Sequence, residues 1–119
     1  MKTTKILLVI IFAGLFAISM NSCKKCKRED PRARVINDGT KVASVQIKTS
    51  GGNTENINNV NPGTSSDFRS YAPGIVTYTV SIEQSTFVYE LAMNECFEYD
   101  IIIDENNTII SKPTDRNDK

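Results

Sequence analysis

From Val35 onward, hydrophobic and polar positions alternate with a period of two. Ala43, Val45 and Ile47 interleave with Ser44, Gln46 and Lys48; Val76, Tyr78, Val80 and Ile82 with Thr77, Thr79, Ser81 and Glu83. Phe87, Tyr89 and Leu91 alternate with Val88 and Glu90, and Phe97, Tyr99, Ile101 and Ile103 with Glu98, Asp100 and Ile102. Successive side chains of a strand point to opposite faces, so each run reads as a half-buried strand. A short first strand is expected to start at Val35. Turn chemistry separates the runs: Asn37-Asp38-Gly39, Ser50-Gly51-Gly52-Asn53, Pro62-Gly63, Pro73-Gly74, Met93-Asn94 and Asp104-Glu105-Asn106-Asn107. Residues 53–66 are rich in Asn and carry only Ile57 and Val60 as anchors, which predicts a weak edge strand within a long loop. With the short run at 108–111, seven or eight strands are expected, and no stretch after residue 23 reads as a helix. A single open sheet would expose a face of Tyr, Phe and Ile, so the prediction is an all-β fold, a small antiparallel sandwich of two sheets.

The N-terminus follows another pattern. Residues 6–18 form an uninterrupted apolar run of 13 residues behind Lys2 and Lys5. A spanning helix needs about 20 such residues, whereas the apolar region of an export signal needs about 7 to 15, so the segment reads as a signal peptide. The following Ser19-Met20-Asn21-Ser22-Cys23-Lys24-Lys25 resembles the lipobox of bacterial lipoproteins. Ser22 is the small residue before the cysteine, Met20 stands where leucine is usual, and Asn21 replaces a small or apolar residue. Loose boxes and lysines after the cysteine resemble the lipoproteins of the Bacteroidota. The resemblance implies cleavage before Cys23 and lipidation of its thiol, usually with acylation of the new amino group. Each buried CH₂ contributes about 0.8 kcal/mol and one chain binds only marginally, so several chains make a permanent membrane anchor. The expected address is the outer membrane of a Gram-negative envelope.

Charge divides the remainder. Residues 24–34 hold six basic groups against two acids, a net of +4, while residues 35–111 hold three basic groups against ten acids, a net of −7. The expected organisation is a signal peptide at 1–22, a flexible, lipidated basic tether at 23–32, a β-sandwich at 33–111 and a polar tail at 112–119. Basic residues beside an anchor gain about 1 kcal/mol each from an anionic surface. Nucleic acid is not an expected partner of an exported chain with an acidic body.

With no His among 119 residues, a Ser-His-Asp triad, a Cys-His pair and His-ligated zinc are excluded. No cofactor is implied and the expected role is non-enzymatic. Glu98 and Asp100 share the outward face of one strand, roughly 7 Å apart from the strand rise, a spacing open to an inverting carboxylate pair but ordinary for a solvated face. Asp104, Glu105 and Asn106 resemble part of an oxygen-ligand loop without the glycine and distal glutamate of an EF-hand; a solvated turn is the plainer reading. Cys26 and Cys96 form an even pair in an oxidising compartment, open to bonding with each other, to intermolecular pairing or to remaining as thiols. Joined, they close a loop of about 70 residues, worth about 4 kcal/mol in the chain-entropy picture. Phe68, Arg69 and Tyr71 beside the Pro73-Gly74 turn are candidates for ligand contact, the alternative being that the aromatics close the core.

Ala33-Arg34-Val35-Ile36-Asn37, Val45-Gln46-Ile47 and Thr77-Tyr78-Thr79-Val80 after Pro73-Gly74 together resemble small immunoglobulin-like modules of bacterial surface lipoproteins. The resemblance implies a structural or adhesive module and supplies no catalytic residue. The second expectation is an accessory lipoprotein whose 53–71 region binds a peptide, a glycan or an envelope protein partner.

Overall fold

The computed structural model describes residues 25–117; the segment at 1–22 expected to be a signal peptide and Cys23 lie outside them. The described chain is all-β, with nine strands in two sheets: β1 (Arg32–Asn37), β2 (Ala43–Lys48), β3 (Thr54–Val60), β4 (Thr64–Ser65), β5 (Arg69–Ser70), β6 (Gly74–Ile82), β7 (Ser85–Met93), β8 (Phe97–Ile103) and β9 (Ile109–Asp115). One sheet runs β3-β2-β6-β7. The other runs β4-β1-β8-β9, with β5 also paired to β1. The alternation read from the sequence places Val45, Ile47, Val76, Tyr78, Val80, Tyr99, Ile101 and Ile103 between the sheets, each at most 3% exposed. Phe87, Tyr89 and Leu91 are only half-buried because β7 is an edge strand.

Several details depart from expectation. β1 starts at Arg32, before Val35, and lies parallel to β8, since both strands leave the same end of the sandwich. β3 is a full seven-residue strand. Its anchors Ile57 and Val60 are three apart, an odd spacing that puts both inside because the β2–β3 register shifts between Ala43 and Val45. Asn59 takes up the extra residue at φ 58° and donates its N–H to Ser44 Oγ, as a β-bulge requires. The polar tail is also corrected: β9 continues through Lys112, Pro113 and Thr114 to Asp115, paired with β8. Pro113 masked this strand, being tolerated only at an edge.

Asn37, read as a turn residue, ends β1 with no exposure. Its Nδ2 donates to the carbonyls of Lys41 (2.7 Å) and Val60 (2.8 Å), and its Oδ1 accepts from Gly39 N–H. One amide thereby ties β1 in one sheet to β3 in the other. A carboxamide offers two N–H donors and an acceptor oxygen, and all three are used here.

Candidate functional site

Tracing strand directions sorts the loops into two ends. Residues 38–42, 61–63, 83–84 and 104–108 lie at one end; 49–53, 71–73, 94–96 and 116–117 lie at the other, with the N-terminal segment. The expected flexible tether is not what residues 26–31 form. Cys26 is disulfide-bonded to Cys96, and its N–H donates to Asn117 Oδ1 (2.7 Å). Glu29 C=O accepts from Cys96 N–H, Pro31 C=O accepts from Tyr71 N–H, and Glu29 pairs with Arg116 at 2.7 Å. Cys96 sits at φ 63°, a strained conformation for a residue with a Cβ, held by these bonds and by Arg116 N–H on its carbonyl. These residues form a fastened neck.

The basic cluster is split accordingly. Arg32 and Arg34 belong to β1, where they pair with Glu98 and Asp100 of β8 and stand over the Phe68 ring at 5.1 and 4.8 Å from its centroid. Glu98 is further approached by Arg116 at 3.7 Å and is only 9% exposed despite its outward register. Its carboxylate is thus held in a cross-strand ion-pair ladder with Asp100. Lys25, Lys27 and Arg28 remain exposed on the neck.

The three ligand candidates are not brought together. Tyr71 is 3% exposed and belongs to the core, Phe68 lies on the outer face beneath the two arginines, and Arg69 donates to Asn56 C=O across the sandwich side. Burial pushes the Tyr71 phenol up to about 12, with Glu55 adding to the rise and Arg69 opposing it. Asp104 carboxylate accepts from the N–H groups of Asn106 and Thr108, which serves the turn as an Asx motif.

Two concavities stand out among the described residues. An open cleft of about 460 Å³ at the neck end is lined by Thr49, Asn53, Thr54, Glu55, Ser70 and Tyr71, among others. At the same end the 49–53 and 71–73 loops meet closely: a Cβ on Gly74, at φ 123°, would meet Ser50 Cβ at 2.9 Å, while Ser50 Oγ donates to Pro73 C=O. A shallower depression of about 280 Å³ on the outer face of the β3-β2-β6-β7 sheet is lined by Ser44, Gln46, Asn56, Asn58, Thr79 and Ser81. Hydroxyls and amides with one carboxylate supply hydrogen bonds to a neutral polar ligand. The chain matches no protein-family model and no curated protein.

Proposed function

We propose that the chain is a lipid-anchored protein of the bacterial cell envelope, held in the outer membrane through Cys23, whose immunoglobulin-like sandwich has a structural or adhesive role. The observation that carries this reading is the separation between the lipobox cysteine and the neck: only Lys24 and Lys25 lie between Cys23 and Cys26, which is bonded to Cys96. A lipid on Cys23 then seats the sandwich directly on the bilayer. The exposed Lys25, Lys27 and Arg28 meet anionic headgroups within a Debye length. Strands of up to nine residues carry the opposite loops roughly 30 Å outward, which suits display.

A second reading, an accessory binding a peptide or glycan through the 53–71 region, is favoured by the cleft at Asn53, Glu55 and Ser70. On an anchored chain that cleft lies at the membrane end, within reach of short ligands rather than large ones. Fractionation with intact-mass measurement tests the proposal. The native chain is expected in the membrane fraction with an acylated N-terminal cysteine, and Cys23→Ala is expected as a soluble or uncleaved product. An unmodified Cys23 thiol in the native protein would refute it.

A further inference from the structure

Sheet edges invite pairing with other chains, and three of the four edge positions here are blunted. β3 carries the Asn59 bulge, β4 and β5 have two residues each, and β9 contains Lys112 and Pro113. β7 has none of these devices. Its nine residues pair with β6 in unbroken register from Ser85 to Met93, and among the described strands β6 is the only one paired with it in its sheet. It contains no Gly, Pro, Lys or Arg, its single charge is Glu90, and Val88 on it is 66% exposed.

The free groups follow from the hairpin. Ile82 and Ser85 close a two-residue loop of Glu83 and Gln84, and the closing pair of such a loop exchanges both backbone bonds. Alternation then directs the N–H and C=O of Ser85, Phe87, Tyr89 and Leu91 toward β6, and those of Thr86, Val88, Glu90 and Ala92 toward the open edge.

We infer that β7 pairs antiparallel with β7 of a second copy of this chain, about a two-fold axis at Val88. In that register Val88 faces Val88, Thr86 faces Glu90, and the half-buried Phe87 faces Tyr89, so no like charges oppose one another and an aromatic pair is covered twice. An axis at Glu90 sets two carboxylates face to face. An axis at Tyr89 sets Val88 against Glu90 and brings the carboxylates diagonal. An isologous contact of this kind closes at two copies and joins two four-stranded sheets into one of eight.

The test uses the full chain expressed in a bacterial host and purified in mild detergent. Val88→Cys is expected to crosslink to itself with a short bismaleimide, whereas Val42→Cys, exposed on a loop at 43%, is not. Val88→Lys, which opposes two ammonium groups, is expected to lower dimer yield by about tenfold or more while the far-UV circular dichroism of the folded chain stays unchanged. Sedimentation showing a monomer at every concentration, with no crosslinked product from Val88→Cys, overturns the inference. Equal crosslinking of Val42→Cys, or stronger crosslinking of Glu90→Cys than of Val88→Cys, does so too. A monomer that takes another envelope polypeptide along β7 overturns it in favour of strand donation by a partner.

Discussion

The two sheets share a core and differ in everything else. On the sheet containing β1 and β8, the outer face is an ion-pair ladder of Arg32–Glu98 and Arg34–Asp100 with Phe68 stacked beneath the arginines. The neck is fastened to it at Cys96. On the sheet containing β2 and β6, the outer face displays Ser44, Gln46, Thr77, Thr79 and Ser81, and its edge β7 is open. One sheet pairs the charges of its outer face within the chain; the other presents uncharged hydroxyls and an amide. The fastening of the N-terminal segment and the open edge are thereby divided between the layers, and substitutions of the same size should weigh unequally on the two.

The largest effect is expected at the neck. Replacing both cysteines, Cys26→Ala with Cys96→Ala, removes a cross-link spanning 70 residues and is expected to lower stability by about 4 kcal/mol. Urea unfolding of both chains measures it, and the β1–β8 sheet should exchange its amide protons sooner than β2–β6. Uniform loss of protection would mean that the sheets do not differ in dependence on the neck.

Next in size is the residue that joins the layers. Asn37→Asp turns a two-bond donor into an acceptor facing the Lys41 and Val60 carbonyls, and leaving such groups buried and unpaired costs about 3 kcal/mol. Denaturant titration is expected to show that loss at neutral pH, with partial recovery in acid as the carboxyl regains a proton to donate.

How far this contrast was legible depended on which signal each residue carried. Period-two alternation located the major strands because burial of Val45, Val80 or Ile101 is imposed by the pleat, independently of partners. β9 was cut short since Pro113 resembles a stop unless its edge position is known, and the spacing of Ile57 and Val60 makes sense only once the bulge opposite β2 is seen. At the candidate site the pairing of Cys26 with Cys96 was one option among several, because connectivity needs distance. The neck was misread as a flexible tether for a similar reason: its charges suggest solvation, while Asn117, Arg116 and Glu98, which hold or neutralise it, lie more than 60 residues away in sequence. Asn37 gave a turn signal locally, matched by its bonds to Gly39 and Lys41, while its tie to Val60 in the other sheet is long-range.

A smaller effect separates the outer faces themselves. Arg32→Met removes the partner of Glu98, which is 9% exposed, and is expected to cost about 2 kcal/mol, with Arg116 retaining part of the pairing. Gln46→Ala, on the opposite outer face, is expected to stay within about 0.5 kcal/mol. Equal losses would remove the distinction between a satisfied face and a presenting one.

The smallest effect tests the shared core from the β6 side. Tyr78 has no exposure, and its hydroxyl lacks a hydrogen-bond partner among the described residues. Desolvation raises its ionisation well above the ordinary phenol value, with Tyr71, Glu55 and Tyr89 adding to the rise. Tyr78→Phe removes an uncompensated hydroxyl and is expected to raise stability by about 1 kcal/mol at neutral pH. Both Tyr71 and Tyr78 are raised in the folded state from 10.0, so the unfolded chain loses these protons first. Their contribution is complete below pH 10, where both states are neutral, and is lost as the pH climbs toward and through the folded value of about 12 for Tyr71. Urea midpoints measured from pH 8 upward should therefore fall above pH 10 in the native chain and fall less in Tyr78→Phe. Parallel curves for the two would show that the buried phenol does not report on the layer that carries it.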